Sequence, residues 1–403
     1  MGKAAAYIGN FKVGICDAQS QLVIGNSKLL RALGYTVTLI GNDNTLAARQ
    51  DIRNSRKTIE GFDVYNLSFS KSAKDFLKSR SIHHQIIRIL QGLPDLKMVI
   101  CYGTPSFAPE LSFLHSWCRQ HNIAFIANCV DIPNQSHGSG MEKCIKKLDR
   151  RWREHIYNYK TDGIIAVSSY IARQYVQRKK KPVVILPPLK DSDTLPIIPS
   201  TKHPSIEIVY VGVPFPTDGR KVDEEAYKDR IDLFIDLLTS VPDVGKPVHL
   251  NLYGLSKEQY LHVVTRHTQL IKDNEDKILF HGRVEHKKAM EAVGQADFSV
   301  VYRLPNQMTM AGFSSKLVES ISCGTPVLYS DTSDYVNYLQ DGKHGFLLNI
   351  EDPEKAQKKL AEILRTPFEE IAAMKECCRQ SKIFDYRNYM DSLKAFLNQV
   401  NGK

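Results

Sequence analysis

The chain has 403 residues, of which 42% are hydrophobic and 24% are charged. This composition excludes a wholly disordered chain and a disulfide-stapled miniprotein, and the length predicts two domains. No apolar run reaches the roughly 18 residues that span a bilayer. The N-terminus lacks the basic and apolar blocks of a secretory signal, and the eight cysteines show no paired CxxC spacing. We therefore expect a cytoplasmic protein with reduced thiols.

The net charge of +10 is unevenly distributed along the chain. Residues 1–200 carry 28 Lys and Arg against 15 Asp and Glu, whereas residues 201–403 carry 26 against 29. An excess of this size predicts that the first half meets something anionic. Nucleic acid, an anionic membrane surface and phosphorylated substrates all qualify.

Short β-branched or aromatic runs alternate with longer amphipathic stretches in the first half. This alternation predicts an α/β domain with a parallel, doubly wound sheet. The predicted strands are Ala4–Ile8, Thr36–Ile40, Met98–Tyr102, Ala124–Asn128, Ile164–Val167 and Val183–Leu186, and the predicted helices are Gln21–Leu33, Ala108–Gln120 and Glu142–Tyr159. The prolines at 187, 188 and 196 then indicate an interdomain linker.

The alternation restarts after the linker, which predicts a second Rossmann-like domain. Its predicted strands are Ile206–Val211, Val248–Tyr253, Lys277–Phe280, Phe298–Tyr302 and Pro326–Ser330, and its helices are Arg230–Leu238, Lys287–Val293 and Ser315–Cys323. The tail from Pro367 to Val400 has a helical pattern. Two such domains are expected to leave a cleft at the carboxyl ends of their strands, where ligands of open α/β sheets bind.

Residues 311–331 form the most informative stretch. Ser314 or Ser315 can N-cap a short helix, whose N–H groups and dipole suit a phosphate, and Lys316 adds charge to the first turn. Glu319 lies one turn further on, where it can accept two hydrogen bonds from a cis-diol such as a ribose. An ordinary capped helix with a solvent-facing Glu is the alternative interpretation.

This stretch resembles the signature of the retaining, family-4-type or "group 1" glycosyltransferases of the GT-B fold. That signature is a glycine-containing loop, a helix with a ribose-binding Glu, and Gly-x-Pro-Val, here Gly324-Thr-Pro-Val327. Further matches occur in the family's order across residues 160–350: Asp162-Gly-Ile-Ile-Ala-Val-Ser-Ser169, Ile208-Val-Tyr-Val-Gly212, Ile278-Leu-Phe-His-Gly-Arg-Val284 and Asp341-Gly-Lys-His-Gly-Phe-Leu347. The resemblance implies two Rossmann-like domains facing each other across a cleft.

The resemblance also assigns a role to each part of the chain. Residues 1–190 would bind the acceptor, 191–205 would form the linker, and 206–380 would bind the nucleotide-sugar donor. Residues 381–403 would form a helical segment that packs back toward the N-terminal domain.

Two departures from the family pattern concern the donor site. Ala311 stands where many members have a Glu that contacts the transferred sugar, so we assign that contact to the backbone of Gly312 and Phe313. Val213, after Gly212, stands where many members have an Arg for the diphosphate. We expect Lys228 and Arg303 to supply the missing cations. A surface ion pair is the alternative for Arg303.

Three further assignments follow from the resemblance. Arg283 and Val284 follow a strand where members pack the nucleobase, although a solvated loop Arg is the alternative. Asp131 follows a first-domain strand and supplies a carboxylate toward the acceptor, with a turn-capping Asp as the alternative, and His137 is a weaker candidate. Asp191-Ser-Asp193 fits a metal-binding DxD, but its place in the linker indicates chance. We predict no cofactor and no metal.

Residues 141–156 combine an apolar helical stripe with a basic remainder. The stripe, which comprises Met141, Cys144, Ile145, Leu148, Trp152 and Ile156, is predicted to pack in the core. The basic side chains are Lys143, Lys146, Lys147, Arg150, Arg151 and Arg153, and they would contact anionic lipid, with a solvated basic face as the alternative.

The sequence therefore predicts a glycosyltransferase that moves a sugar from a nucleotide diphosphate donor to a hydroxyl. By the resemblance, it retains anomeric configuration and uses a saccharide or lipid-linked acceptor in bacterial polysaccharide biosynthesis, at the inner face of the cytoplasmic membrane. A GT-B sugar-nucleotide epimerase and a basic nucleic-acid-binding protein are the alternatives. No zinc module or aromatic RNA-binding strand accompanies the basic charge, so we predict no nucleic-acid partner.

Overall fold

A computed structural model of the chain divides into two units. The structure describes residues 2–14, 17–43, 56–68, 80–103, 108–131, 144, 147–148, 151–152, 156–179, 181–195, 198–199, 202–217, 224 and 227–402. The first unit contains residues 1–189, 311–313 and 386–403, and the second contains 190–310 and 314–385.

The division between the units falls between Leu189 and Lys190. The residues that the sequence predicts as a linker belong to the second unit. The backbone at the start of this segment is hydrogen-bonded to the last two residues of that unit. The Lys190 N–H donates to the Phe384 carbonyl at 2.9 Å, and the Ser192 N–H donates to a carboxylate oxygen of Asp385 at 3.0 Å.

The described residues of the first unit form an eight-stranded sheet in the order β3-β4-β2-β1-β5-β6-β7-β8. Only β3 runs antiparallel to its neighbour. The strands are β1 Ala4–Gly9, β2 Thr36–Asn42, β3 Arg56–Ile59, β4 Phe62–Leu67, β5 Leu96–Tyr102, β6 Ala124–Cys129, β7 Gly163–Ala166 and β8 Val183–Ile185. Its helices are α1 Ala18–Ala32, α2 Arg80–Gln91, α3 Ala108–Gln120, α4 Asn158–Lys160, α5 Ser169–Lys179 and, near the C-terminus, α15 Met390–Asn401.

The described part of the second unit forms a six-stranded parallel sheet in the order β11-β10-β9-β12-β13-β14. Its strands are β9 Ile206–Val211, β10 Val248–Tyr253, β11 Ile278–Gly282, β12 Phe298–Val301, β13 Val327–Tyr329 and β14 Gly345–Leu347. The helices from residue 231 onward are α6 Ile231–Ser240, α7 Lys257–Val263, α8 Thr268–Lys272, α9 His286–Gln295, α10 Gln307–Ala311, α11 Ser315–Ser322, α12 Tyr335–Tyr338, α13 Pro353–Ile363 and α14 Phe368–Ser381.

Local sequence explains why these elements form. All six residues of β1 are buried, as expected of a central parallel strand that is covered on both faces. The Asp17 carboxylate caps α1 by accepting the Ser20 N–H at 2.7 Å. Gly25 lets α1 pack closely, because a Cβ there would lie 2.4 Å from the Leu189 carbonyl oxygen.

Helix α6 shows how the second unit builds its core. Ile231, Phe234, Ile235 and Leu238 follow the i, i+3, i+4, i+7 pattern, and each is no more than 2% exposed. Burying a side chain of the size of Phe234 contributes about 1.5–3 kcal/mol. Helix α6 therefore contributes one face to the hydrophobic core of the second unit.

The sequence did not predict the β3–β4 hairpin or helix α2. The hairpin turns at Glu60 and Gly61, which both have positive φ (50° and 76°), the geometry that tight hairpin turns require. The predicted tail helix divides into α14 and α15, because Lys382 ends α14 in the left-handed conformation, with φ 47°.

The prediction that the stripe of residues 141–156 packs in the core is wrong where the structure describes it. Leu148, Trp152 and Ile156 are 60%, 50% and 43% exposed, and Lys147 and Arg151 are exposed beside them. Met141, Lys143, Ile145, Lys146, Arg150 and Arg153 lie outside the described residues. Among the described helices, none is long and apolar enough to cross a bilayer.

Candidate functional site

Three neighbouring strands of the second unit each lead into a glycine with positive φ. Gly212 follows β9, Gly254 follows β10 and Gly282 ends β11, with φ of 143°, 112° and 66°. A Cβ on Gly254 would lie 2.5 Å from the Gly212 carbonyl oxygen, so these backbones approach each other too closely for a side chain. The carboxyl edge of the sheet is therefore open to a ligand at backbone level.

A buried ion cluster lies at the same edge. The carboxylate of Asp229, which is 1% exposed, accepts hydrogen bonds from Arg303 Nε at 2.6 Å and from Lys316 Nζ at 2.7 Å. Tyr210 on β9 donates its hydroxyl to the same carboxylate at 2.9 Å. Burial opposes ionisation of Asp229, but the charges of Arg303 and Lys316 hold its pKa well below the usual range. The two cations and one carboxylate leave one net positive charge.

The cluster lies where the order of the second sheet reverses. Strand β9 pairs with β10 on one side and with β12 on the other. The chain runs outward from β9 through β10 to β11, and then crosses to β12 on the opposite side of β9. Arg303 follows β12 and Gly212 follows β9. In open α/β sheets, ligands bind at the carboxyl ends of strands at this kind of reversal.

Arg303 is held on every side, which excludes the surface ion pair as its role. Its side chain is 2% exposed, and its guanidinium donates to the Tyr335 hydroxyl at 3.1 Å and to Ser314 Oγ at 3.3 Å. Burial opposes its charge, but Asp229 raises its pKa above the ordinary value. Arg303 thereby ties the end of β12 to the start of α11.

Ser314, one of the two N-cap residues that the sequence offered, is the N-cap residue of α11, but its side chain makes no capping hydrogen bond. Its hydroxyl accepts instead from Arg303. Ser315 begins the helix and is half-buried. The Ser314 side chain therefore does not occupy the N–H groups of the first turn, and these groups can bind an anion.

Lys316 lies directly beside Gly212. A Cβ on Gly212 would be 2.3 Å from Lys316 Cε, so only glycine leaves room for the lysine side chain. The Lys316 Nζ lies 5.4 Å from the centre of the Tyr210 ring, and its side chain is 23% exposed. Lys316 is thus the cation of the cluster that solvent or a ligand can reach.

Glu319 has a partner that the sequence did not reveal. Its Oε1 accepts a hydrogen bond from Lys190 Nζ at 3.0 Å, and His286 Nε2 lies 3.9 Å from the same oxygen. Burial would raise the pKa of Glu319, but the Lys190 charge and the hydrogen bonds from His286 and Lys190 lower it to about 2. Glu319 is therefore an anchored carboxylate, with one oxygen already bonded.

Lys228 lies at the surface next to the cluster in sequence. Its side chain is exposed, and its backbone N–H donates to the Pro214 carbonyl at 3.2 Å. The neighbouring Asp229 turns its carboxylate inward, to Lys316 and Arg303. The structure thus brings together Gly212, Arg303, Ser314 and Lys316.

The predicted nucleobase residues differ in environment. Arg283 is exposed, whereas Val284 is half-buried against an apolar cluster that includes Ala289, Met290 and Val293. His281, just before them, stacks on Tyr253 with ring centres 4.3 Å apart.

Residues 311–313 group with the first unit. Ala311 is fully buried, and its carbonyl accepts the Ser168 hydroxyl at 2.6 Å. Gly312 is buried, and Phe313 is 9% exposed. The contact with a transferred sugar that we assigned to the backbone of Gly312 and Phe313 stays a prediction.

Asp131 belongs to the first unit, where it follows β6 and is exposed. Burial raises the pKa of Tyr102, at the end of β5, and the charges of Asp131 and Asp17 raise it further. These side chains therefore share the carboxyl edge of the first sheet. His137 lies outside the described residues. Asp191 accepts the N–H of Asp193 and so caps a short turn.

Sequence reasoning missed two residues, Asp229 and Lys190. Both lie beside features that the sequence analysis identified. Asp229 follows Lys228, a predicted diphosphate cation, and Lys190 begins the polar stretch after the linker prolines. A carboxylate at the start of α6 carried no signal of its own. Only its burial at 1% exposure identifies its role.

Residues 222–381 match a family model described as "Glycosyl transferases group 1". That region contains Asp229, Arg303, Lys316 and Glu319. No curated protein matches the chain.

Solved structures match over nearly the whole chain. Sucrose-phosphate synthase from Thermosynechococcus elongatus is 14% identical, with a TM-score of 0.65 and 99% of each chain covered. Anabaena HepE in complex with UDP and glucose is 13% identical, with a TM-score of 0.63 and 98% and 99% covered. The catalytic domain of starch synthase IV from Arabidopsis thaliana, bound to ADP and acarbose, is 11% identical, with a TM-score of 0.67 and 100% of each chain covered. At these identities the likeness establishes the fold, which is GT-B.

Proposed function

We propose that this chain, which has the GT-B fold and a group 1 glycosyltransferase region at residues 222–381, moves a sugar from a nucleotide diphosphate sugar to a hydroxyl of a saccharide acceptor. The proposal extends to a lipid-linked acceptor, to retention of anomeric configuration and to polysaccharide biosynthesis. The HepE structures were solved with UDP, with UDP and glucose, and with UDP-glucose, which supports a nucleotide-sugar donor here.

The ion cluster of Asp229, Arg303 and Lys316 is the observation that carries the proposal. It places a net positive charge beside Gly212 and the first turn of α11, at the carboxyl edge of the second sheet. Transfer breaks the bond between the sugar and the diphosphate, so negative charge builds on the diphosphate in the transition state. Cations and helix N–H groups fixed in advance stabilise that charge most effectively.

Within this proposal the three cations have different roles. Lys316 contacts the diphosphate directly, because its ammonium is partly exposed while it bonds Asp229. Arg303 is a positioning residue, because it is buried and holds Ser314 and Asp229. Lys228 is exposed and adds a further contact to the diphosphate. These side chains supply the charge stabilisation without a divalent ion.

Glu319 binds the ribose through the carboxylate oxygen that Lys190 does not occupy, and the pair holds that carboxylate ionised. An ionised acceptor makes stronger hydrogen bonds to hydroxyls than a neutral one. Val284 and the exposed Arg283 flank the nucleobase.

We assign the acceptor to the first unit, where Asp131 and Tyr102 share the carboxyl edge of the sheet. Attachment to an anionic membrane surface is part of the proposal, because Lys147 and Arg151 are exposed among the exposed apolar side chains of Leu148, Trp152 and Ile156. Basic residues near such a surface contribute about 1 kcal/mol each.

The experiment is a thermal-shift panel of nucleoside diphosphates and their sugars, followed by assays of nucleoside diphosphate release with saccharide and lipid-linked acceptors. We expect stabilisation by one nucleotide series, and loss of that stabilisation in Glu319→Ala. The anomeric configuration of the first product, read from proton couplings by NMR, tests retention. A folded protein that is stabilised by no nucleotide, and that releases none, would contradict the proposal.

A further inference from the structure

A cavity of about 1040 Å³ lies in the first unit, at the amino ends of its strands. Lys3 precedes β1, Lys97 lies at the start of β5, and Asp162 precedes β7, and all three line it. Because these strands are parallel, their amino ends share one edge of the sheet. Tyr102 and Asp131 lie at the opposite, carboxyl edge, so this cavity is separate from the residues that we assign to the acceptor.

The cavity is strongly basic, and we call it the basic cavity. Its cationic lining residues are Lys3, Lys97, Arg119 and Lys160. Lys97 is paired with Asp95 at 2.6 Å. No carboxylate of the described residues forms an ion pair with Lys3, Arg119 or Lys160.

Asp162 is the carboxylate in the lining, and one of its oxygens already accepts a backbone hydrogen bond. Its Oδ2 accepts the Phe125 N–H at 2.8 Å, while its own N–H donates to the Phe125 carbonyl at 2.8 Å. These two hydrogen bonds join the start of β7 to β6. The carboxylate offsets one positive charge at most, and the cavity keeps an excess of cations.

Neutral hydrogen-bonding groups and aromatic rings complete the lining. Helix α3 presents Ser112, His115, Ser116 and Arg119 at helical spacing, so one face of the helix lines the cavity. The His115 ring meets Phe125 edge-on, with centres 5.6 Å apart. Burial lowers the pKa of His115, and the charges of Arg119 and Lys160 lower it further against the opposing effect of Asp162.

We propose that the basic cavity binds the phosphate or pyrophosphate group of a small molecule, at a site distinct from the donor site. Phosphate oxygens accept several hydrogen bonds and pair with Arg and Lys, and this lining offers both kinds of partner. Ile123 and Ala124 are half-buried lining residues that give the remainder of the molecule an apolar surface. The volume matches that of pockets that hold small ligands.

The test is calorimetric titration of the whole protein with pyrophosphate at low salt. The test variant is the triple substitution Lys3→Gln, Arg119→Gln and Lys160→Gln. The matched control is Lys57→Gln, Arg88→Gln and Arg173→Gln, which removes the same charge from exposed positions of the same unit that do not line the cavity. A third protein, Lys316→Gln, reports on pyrophosphate bound at the donor site.

We expect pyrophosphate affinity at this site to fall at least tenfold in the cavity variant and to be unchanged in the control and in Lys316→Gln. Vesicles that contain phosphatidic acid form a second arm, because the same phosphate chemistry is found in a lipid headgroup. If wild type binds these vesicles but not soluble pyrophosphate, and the cavity variant loses the vesicle binding, the phosphate group belongs to a lipid. Equal affinity in the cavity variant and in wild type, or loss in Lys316→Gln alone, would overturn the proposal and leave the proposed function standing.

Discussion

Lys190 Nζ and Glu319 Oε1 lie 3.0 Å apart, and the two side chains are only 9% and 15% exposed. They are separated by 129 positions in the chain. The pair joins the first residue of the second unit to helix α11, which also carries Lys316. This ion pair therefore connects the stability of the second unit to the site at which we propose that the donor binds.

Replacement of Glu319 by alanine is expected to weaken nucleotide-sugar binding and also to destabilise the second unit. Each hydrogen bond lost to a charged partner costs on the order of 1.5–3 kcal/mol, and the variant leaves Lys190 buried without its carboxylate. Titration calorimetry measures the first effect and urea unfolding the second. The double variant Lys190→Met with Glu319→Leu is the control, since it removes both charges and should regain stability but not donor affinity. Unchanged donor affinity in folded Glu319→Ala would remove this residue from the site.

The charge of Lys190 should set the pH at which Glu319 titrates. With Lys190 present, the Glu319 pKa is lowered to about 2, so the carboxylate stabilises the fold above its unfolded value near 4.5, and that contribution is lost as the pH falls toward 2. In Lys190→Met, the largest opposing charge is removed and His286 is left to counter burial, so this pKa rises. We expect donor affinity of the variant, measured from pH 4 to 8, to fall at mildly acidic pH where wild type is constant. Parallel pH profiles would show that Lys190 does not control Glu319.

Neutralising Asp229 is expected to destabilise the protein strongly. Asp229→Asn leaves Arg303 and Lys316 close together without a counter-charge, and breaking a buried pair in this way typically costs about 3–5 kcal/mol. Asp276→Asn is the matched control, because Asp276 is exposed in the same unit. Urea unfolding of the three proteins checks this. A loss in Asp229→Asn no larger than in the control would mean that the cluster contributes no stability.

Replacement of Lys316, the partly exposed lysine of the ion cluster, should affect turnover more than donor affinity. We expect Lys316→Gln to lower kcat by roughly 10²–10³, because its ammonium acts chiefly on charge that develops in the transition state. Lys228→Ala should lower kcat less, since its side chain is exposed and solvent screens its charge. Steady-state kinetics with Lys358→Gln as a surface control checks this. Near-wild-type turnover of Lys316→Gln would exclude it as the leaving-group cation.

The membrane contact should depend on both charge and exposed apolar surface. We expect the protein to sediment with anionic liposomes at low salt and to be released at high salt, because screening weakens surface electrostatics. Lys147→Gln with Arg151→Gln should reduce binding by tenfold or more, and Trp152→Ser should reduce it independently. Lys57→Gln with Arg88→Gln is the charge-matched control. Equal binding to neutral and anionic liposomes, or none to either, would contradict this attachment.

The sequence by itself determined the α/β architecture, and it pointed to the edge of the second sheet at which we propose that the donor binds. The strands β1, β9 and β10 were predicted to within one residue, because their apolar runs and the glycines that follow them are local features. The resemblance also pointed to the segment from Ser314 to Glu319, which does begin a helix at the expected residue. The hairpin of β3 and β4 escaped prediction. Strand β3 has only four residues and lies at the edge of the sheet, and no strong local pattern identified β4 beside it.

Only the tertiary structure decided which charges act together. Asp229 meets Arg303 and Lys316 across 74 and 87 positions, and periodicity carries no information about pairs at such distances. The same limit applies to the stripe of Leu148, Trp152 and Ile156. A helical pattern shows that apolar residues share a face, but only the surrounding chain decides whether that face is covered, and here it is exposed. Partner choice and burial depend on packing between distant segments, and for that reason the sequence left them open.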